Sequence, residues 1–112
     1  MIRNALRLLA LGLGAVHTTV AILKQSINED GIGYLDIGDA IMRGDWEMAV
    51  NGIWSPLYAA FLGLALELSD PGIRWEFPAA QITNFIIYGI ALLCFEYFWK
   101  QLSGRYRQQF KL

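Results

Sequence analysis

The chain has 112 residues, of which 55% are hydrophobic, and nine basic and ten acidic side chains give a formal net charge of −1. This composition is too apolar for a soluble domain of this size, and the charge balance gives no indication of a nucleic-acid partner. The single cysteine, Cys94, excludes a disulfide framework and a thiolate metal site, and we expect it to be a small buried hydrophobic side chain.

Three apolar runs predict an all-α integral membrane protein. Spanning a bilayer takes about 20 mostly apolar helical residues, and about 17 can suffice. We expect about three transmembrane helices, at residues 7–24, 50–68 and 79–99, in a single membrane domain over residues 1–112. A polar loop over residues 25–49 separates the first two spans.

The first span follows Arg3 and Arg7 and ends at Lys24. Basic residues before a first span predict a cytoplasmic N-terminus in a multi-pass protein. A cleaved signal peptide begins in the same way, but no small-x-small cleavage site follows Leu23, which favours an uncleaved anchor. His17 lies in mid-span, either as a ligand or proton contact or as a neutral imidazole bonded to a neighbouring helix.

The polar loop holds six of the ten acidic residues: Glu29, Asp30, Asp36, Asp39, Asp45 and Glu47. Gly31 and Gly33 predict a flexible turn in its first part. A membrane protein that keeps so many carboxylates between two apolar segments is expected to use at least one of them. The loop is therefore the predicted site of function.

The later part of the loop predicts a short amphipathic helix over residues 34–43, lying on the membrane surface in the first extracytoplasmic loop. Its expected apolar stripe consists of Tyr34, Ile37 and Ile41, flanked by Leu35 and Met42. We expect Asp39 to pair with Arg43, four residues later, and Gly44 to end the helix. Trp46 and Trp54 are expected at headgroup depth.

The second and third spans carry their own local signals. Pro56 suits the first turn of a helix, and Gly63 permits close helix approach. Pro71-Gly72 predicts a turn, and Pro78 predicts the start of the third span. Within that span, Glu96 is expected to pair with Lys100.

The basic tail conflicts with three crossings. Arg105, Arg107 and Lys111 indicate a cytoplasmic tail. Three spans that start from a cytoplasmic N-terminus would instead place the tail outside. Either one of the three apolar runs does not cross the bilayer, or the tail belongs to a longer polypeptide.

Several loop residues, in their order, resemble membrane-embedded glycosyltransferases of the GT-C type. The resemblance is to bacterial members related to protein mannosyltransferases and lipid A aminoarabinose transferases. It rests on the order Asp30, Tyr34, Ile37, Gly44-Asp45-Trp46 and Trp54-Ser55-Pro56-Leu57-Tyr58, and on the continuation WEFPAAQITNFIIYGIALLCFEYFW. It covers nearly all of this chain but only the first fifth or quarter of such an enzyme. The chain is thus expected to be an N-terminal segment of a larger multi-span enzyme of the cell inner membrane.

The resemblance implies sugar transfer from a polyprenyl-phosphate donor to an acceptor hydroxyl. Asp30 is then the general base, with the adjacent Glu29 as the alternative because the Glu-Asp order here is often Asp-Glu in relatives. General-base help is worth about 10²–10⁴-fold in rate. Tyr34 either orients the carboxylate or acceptor or packs at the interface. Arg43 and Lys24 are the only cations near this loop for the donor phosphate.

Some parts of a complete transferase site are missing from the sequence. There is no glycine-rich phosphate loop, and no cofactor or metal-ligand spacing is evident, which leaves a divalent metal without a visible ligand set. Three helices are too few to enclose a lipid-linked sugar and an acceptor, so we expect the chain alone to be inactive. The alternative is a small non-catalytic subunit that docks on partner membrane helices. Membrane lipid surrounds the chain in either case.

Overall fold

A computed structural model describes residues 2–25 and 27–109, with side chains described as far as residue 104. The chain is all-helical, as predicted, and the described residues form no strand. The α-helices are α1 (Ile2–Lys24), α2 (Glu29–Arg43), α3 (Trp46–Ala49), α4 (Pro56–Ser69) and α5 (Glu76–Gln109), with a 3₁₀ turn at Ile73–Trp75 before α5. Of the basic tail, Lys111 lies outside the described residues, as do the side chains of Arg105 and Arg107.

Two helices are long and apolar enough to cross a membrane: α1, and the stretch Ile73–Gly104 that includes most of α5. They contain the predicted first and third spans. The predicted second span is helical only from Pro56 to Ser69, which is 14 residues. Such a helix is about 21 Å long, against a hydrocarbon core of about 30 Å. Three spans are therefore not confirmed.

The long helices α1 and α5 pack antiparallel, so that the start of α1 lies beside the second half of α5. Arg7 forms a two-point ion pair with Glu96, with Arg7 Nε 2.7 Å from Glu96 Oε1. Tyr88 donates its hydroxyl to the Ala10 carbonyl at 3.1 Å. The predicted Glu96–Lys100 pair is thus wrong, because α1 offers Glu96 a forked guanidinium that can bind both carboxylate oxygens.

The shorter helices α2 and α4 pack through a pair of glycines. A Cβ on Gly63 would lie 2.5 Å from the Gly38 carbonyl oxygen, and a Cβ on Gly38 would lie 2.7 Å from the Ala59 carbonyl oxygen. The two backbones are therefore in direct contact at this crossing. The expectation that Gly63 permits close helix approach is confirmed, with Gly38 as its partner.

The core is small and lies where α2, α4 and α5 meet. It consists of Leu35, Leu62 and Ala80. On α2 the buried residues are Leu35, Ile37, Gly38 and Ala40, whereas the predicted stripe residues Tyr34 and Ile41 are half-buried. The buried face is thus rotated from the predicted stripe because it is centred on the glycine contact with α4.

Helix α2 begins earlier than predicted. Asn28 is its N-cap and accepts a hydrogen bond from the Gly31 amide at 2.9 Å, and Glu29 and Asp30 form its acidic first turn. The predicted flexible turn at Gly31 and Gly33 is therefore wrong, since both glycines are helical. A polar cap and two acids in the first turn outweigh the helix-weakening effect of glycine here.

The predicted end of α2 and the place of Pro56 in the first turn of α4 are confirmed, although α4 begins at Pro56 and not at the predicted residue 50. Gly44 ends α2 in the left-handed region, with φ of 73°, and Arg43 pairs with Asp39 one turn earlier. Pro56 occupies the first turn of α4, and Gly72 has φ of 65° in the predicted turn.

Much of the apolar surface is uncovered. No residue of α1 is buried, and Leu8, Leu13 and Val16 are each more than half exposed. Cys94, expected to be buried, is exposed on α5. Long helices with apolar side chains on open faces are what a lipid environment accommodates and water does not.

Candidate functional site

A polar cleft of about 400 Å³ lies between α1, α4, the start of α2 and the first half of α5. Its apolar wall includes the core residues Leu35, Leu62 and Ala80. Its polar lining residues are His17, Lys24, Asn28, Tyr58, Gln81 and Asn84. Polar side chains on apolar helices are costly in lipid, so their grouping around one cleft indicates a site for a polar ligand or for water.

A hydrogen bond fixes the wall between α4 and α5. The Tyr58 hydroxyl donates to Asn84 Oδ1 at 2.6 Å, and both groups are partly buried. Burial raises the pKa of the Tyr58 phenol above its ordinary value, against the opposing effect of the hydrogen bond to Asn84. The phenol therefore stays protonated at neutral pH and remains the donor in this bond.

Three aromatic rings form a cluster beside the cleft. The Tyr34 ring packs edge-on against Trp54, with centroids 5.1 Å apart, and against Tyr58, with centroids 4.7 Å apart. Gly33 leaves room for the Trp54 indole, which would lie 3.4 Å from a Cβ at that position. Edge-to-face pairs contribute about 0.5–1.5 kcal/mol each. Tyr34 thus packs against aromatic neighbours, and its contact with the carboxylate or the acceptor stays a prediction.

The two candidate bases lie next to the cleft but do not line it. Glu29 and Asp30 are exposed in the first turn of α2, directly after the lining residue Asn28. Within the described part of the chain, neither carboxylate forms a salt bridge. Both are therefore accessible to a substrate that extends from the cleft.

Arg43 is far from the candidate bases. It lies 13 residues after Asp30 on the same helix, a rise of about 20 Å, and is paired with Asp39. The structure therefore does not bring the predicted phosphate contact and the predicted base together. Lys24, by contrast, lines the polar cleft.

A second cleft, of about 460 Å³, is lined by the carboxylates of Asp39, Glu67, Asp70 and Glu76. Such oxygen ligands suit hard divalent cations when they converge. No group of three or more His, Cys, Asp or Glu side chains in residues 2–25 and 27–109 is arranged to hold a metal ion.

Gln81 and Asn28 are the polar cleft residues that the sequence prediction missed. Gln81 and Asn84 are three residues apart, which places both amides on one face of α5. Together with His17 they line a further shallow cleft of about 410 Å³ between α1 and α5. Two amides at helical spacing within an apolar span are the signal that could have identified this face.

Comparisons with protein-family models, with curated proteins and with solved structures find no match to this chain. The functional interpretation is therefore based on the geometry of the cleft and of the acidic first turn of α2.

Proposed function

We propose that the chain is an inner-membrane segment of a glycosyltransferase that uses a polyprenyl-phosphate-linked sugar. The supporting observation is the position of Glu29 and Asp30, two exposed carboxylates in the first turn of α2, directly after Asn28, which lines a polar cleft between apolar helices. An acceptor hydroxyl beside this turn could give its proton to a carboxylate as the sugar is transferred. Asp30 is the proposed base and Glu29 its alternative.

The proposed membrane placement uses two crossings. α1 and α5 are about 35 and 51 Å long, enough to span the hydrocarbon core, whereas α4 is too short. Two crossings place Arg3 and Arg7 on the same side as the basic tail. The positive-inside rule makes that side the cytoplasm, and α2, α3 and α4 then lie at the outer surface.

This placement removes the charge conflict of a three-span chain. It also supports α1 as an anchor rather than a cleaved signal peptide, because Arg7 and Tyr88 tie α1 to α5. Trp54, near the start of α4, would then lie at the outer interface, where indole rings are favoured.

The cleft residues supply binding groups for the donor. Lys24 is a cation at its rim, and His17, Gln81 and Asn84 can bond to phosphate or sugar oxygens. The cleft is open on one side, so further helices are needed to exclude water from both substrates. The 112-residue chain alone is therefore expected to be inactive.

A transfer assay tests this function in membranes that express the complete reading frame containing the chain. The donor is a radiolabelled polyprenyl-phosphate sugar. We expect Asp30→Asn to lower the transfer rate by about 10²–10⁴-fold. The matched control is Asp36→Asn, an exposed carboxylate further along α2, which should leave the rate unchanged.

Two results would contradict the proposal. One is wild-type transfer by the double variant Glu29→Gln/Asp30→Asn, which would exclude both carboxylates as the base. The other is transfer by the purified chain alone. If membranes show no transfer and the chain copurifies with another membrane protein through the open face of α1, the docking-subunit alternative is favoured.

A further inference from the structure

An apolar groove of about 720 Å³ runs between the start of α1 and the second half of α5. Its apolar lining includes Leu6, Leu92, Phe95 and Trp99. The groove is far from the polar cleft, which lies at the other end of the same helix pair. It plays no part in the proposed sugar transfer.

The rim of the groove is positively charged. Arg3, Arg7 and Lys100 line it together with Glu96, the one carboxylate among the described lining residues. Glu96 is bound through both oxygens to Arg7, which neutralises that pair. Arg3 and Lys100 therefore leave a surplus of two positive charges beside an apolar groove.

We infer that this groove binds one anionic phospholipid of the cytoplasmic leaflet. An acyl chain would lie along Leu6, Leu92 and Phe95, and the headgroup phosphate would contact Arg3 and Lys100. Basic pockets between membrane helices on the cytoplasmic side recognise anionic headgroups. Trp99, which is more than half exposed, suits the interface between acyl chains and headgroups.

Charge complementarity selects this occupant over a second copy of the chain. A second copy docking through the same groove would bring Arg3 and Lys100 of both molecules close together in a medium of low dielectric constant. A phospholipid with a net negative headgroup supplies the opposite charge and the apolar chain in one molecule. The inference rests on the proposed membrane placement but not on the transferase chemistry.

Lipid binding by the purified full chain in a neutral detergent provides the test, measured by native mass spectrometry. The probes are phosphatidylglycerol and phosphatidylcholine with identical acyl chains. We expect phosphatidylglycerol to bind more tightly, and Arg3→Gln/Lys100→Gln to weaken its binding by about 30-fold, or about fivefold for each cation. The control, Arg74→Gln, removes a cation at the opposite end of the molecule and should leave binding unchanged.

Each remaining outcome would overturn the inference. Equal binding of the two lipids would show that charge is not recognised, and an equal loss in the control would show a non-specific surface effect. Displacement of phosphatidylglycerol by inorganic phosphate would indicate that the groove binds a soluble anion. Dimers that persist when phosphatidylglycerol is added would indicate that a second copy of the chain occupies the groove. Circular dichroism of the variants must match the wild type. The transfer assay measures the effect of Asp30→Asn independently of lipid binding. A negative result for lipid binding is therefore distinguishable from a negative result for the proposed function.

Discussion

Gly63→Ala tests the close contact between α2 and α4. The new Cβ would lie 2.5 Å from the Gly38 carbonyl oxygen and 2.8 Å from its carbon, whereas real Cβ contacts essentially never fall below 3.0 Å. The helices must therefore separate by at least about 0.5 Å, because a backbone atom cannot rotate away as a side chain can. That movement loosens the packing of Leu35 on Leu62.

The magnitude follows from two opposing effects. Overpacking a tight contact costs about 1–3 kcal/mol, and alanine regains about 0.5–1 kcal/mol of helix propensity. The midpoints of these two ranges leave a net loss of about 1.25 kcal/mol, which corresponds to roughly eightfold faster amide exchange when α2 opens locally. Hydrogen-exchange mass spectrometry of residues 35–43 in detergent measures this directly.

Gly12→Ala and Gly89→Ala are the matched controls. Both glycines are helical and have open space where a Cβ would be added. We expect neither substitution to accelerate exchange in α2. If Gly63→Ala exchanges at the rate of these controls, the glycine contact does not hold α2 on α4 and the packing described above is incorrect.

Three further substitutions test separate contacts. Arg7→Gln should lower the thermal midpoint in detergent, and the swap Arg7→Glu/Glu96→Arg should recover part of it; no recovery would show that the pair does not join α1 to α5. Tyr58→Phe should lower the free energy of unfolding by about 0.5–1.5 kcal/mol in a denaturant titration, and an unchanged midpoint would exclude the hydrogen bond from Tyr58 to Asn84 of α5. Asn28→Ala should lower the stability of α2 by about 0.5–2 kcal/mol, measured as faster amide hydrogen exchange in its first turn. Unchanged exchange would exclude the Asn28 cap.

Local sequence signals predicted the helices well. The apolar runs identified α1 and α5, and Gly44, Pro56 and Gly72 marked helix ends or turns because each acts through its own backbone. The start of α2 differs from the prediction because Gly31 and Gly33 favour a turn locally, whereas the Asn28 cap stabilises the helix around them.

Contacts between distant segments could not be predicted from one sequence. Glu96 has Lys100 four residues later, but its partner is Arg7, 89 residues away. Gly63 was recognised as a helix-contact residue, yet nothing local indicated Gly38 as its partner. The polar cleft likewise depends on how α1, α4 and α5 meet, and helical periodicity does not fix this.

The candidate bases could be selected from sequence only by resemblance. The structure adds that Asp30 is exposed beside the cleft and that Arg43 is paired elsewhere. The identity of the base therefore remains a prediction that the transfer assay must decide.

We propose that the carboxylates of α2 lie on the opposite side of the membrane from Asn4 at the start of α1 and Ser103 near the end of α5. Cysteine labelling with a membrane-impermeant maleimide in intact cells tests it, on a Cys94→Ala background because Cys94 is exposed. We expect Asp36→Cys to be labelled in intact cells, whereas Asn4→Cys and Ser103→Cys should be labelled only after permeabilisation. Labelling of Ser103→Cys but not of Asn4→Cys in intact cells would contradict it, because the chain would then cross the membrane an odd number of times.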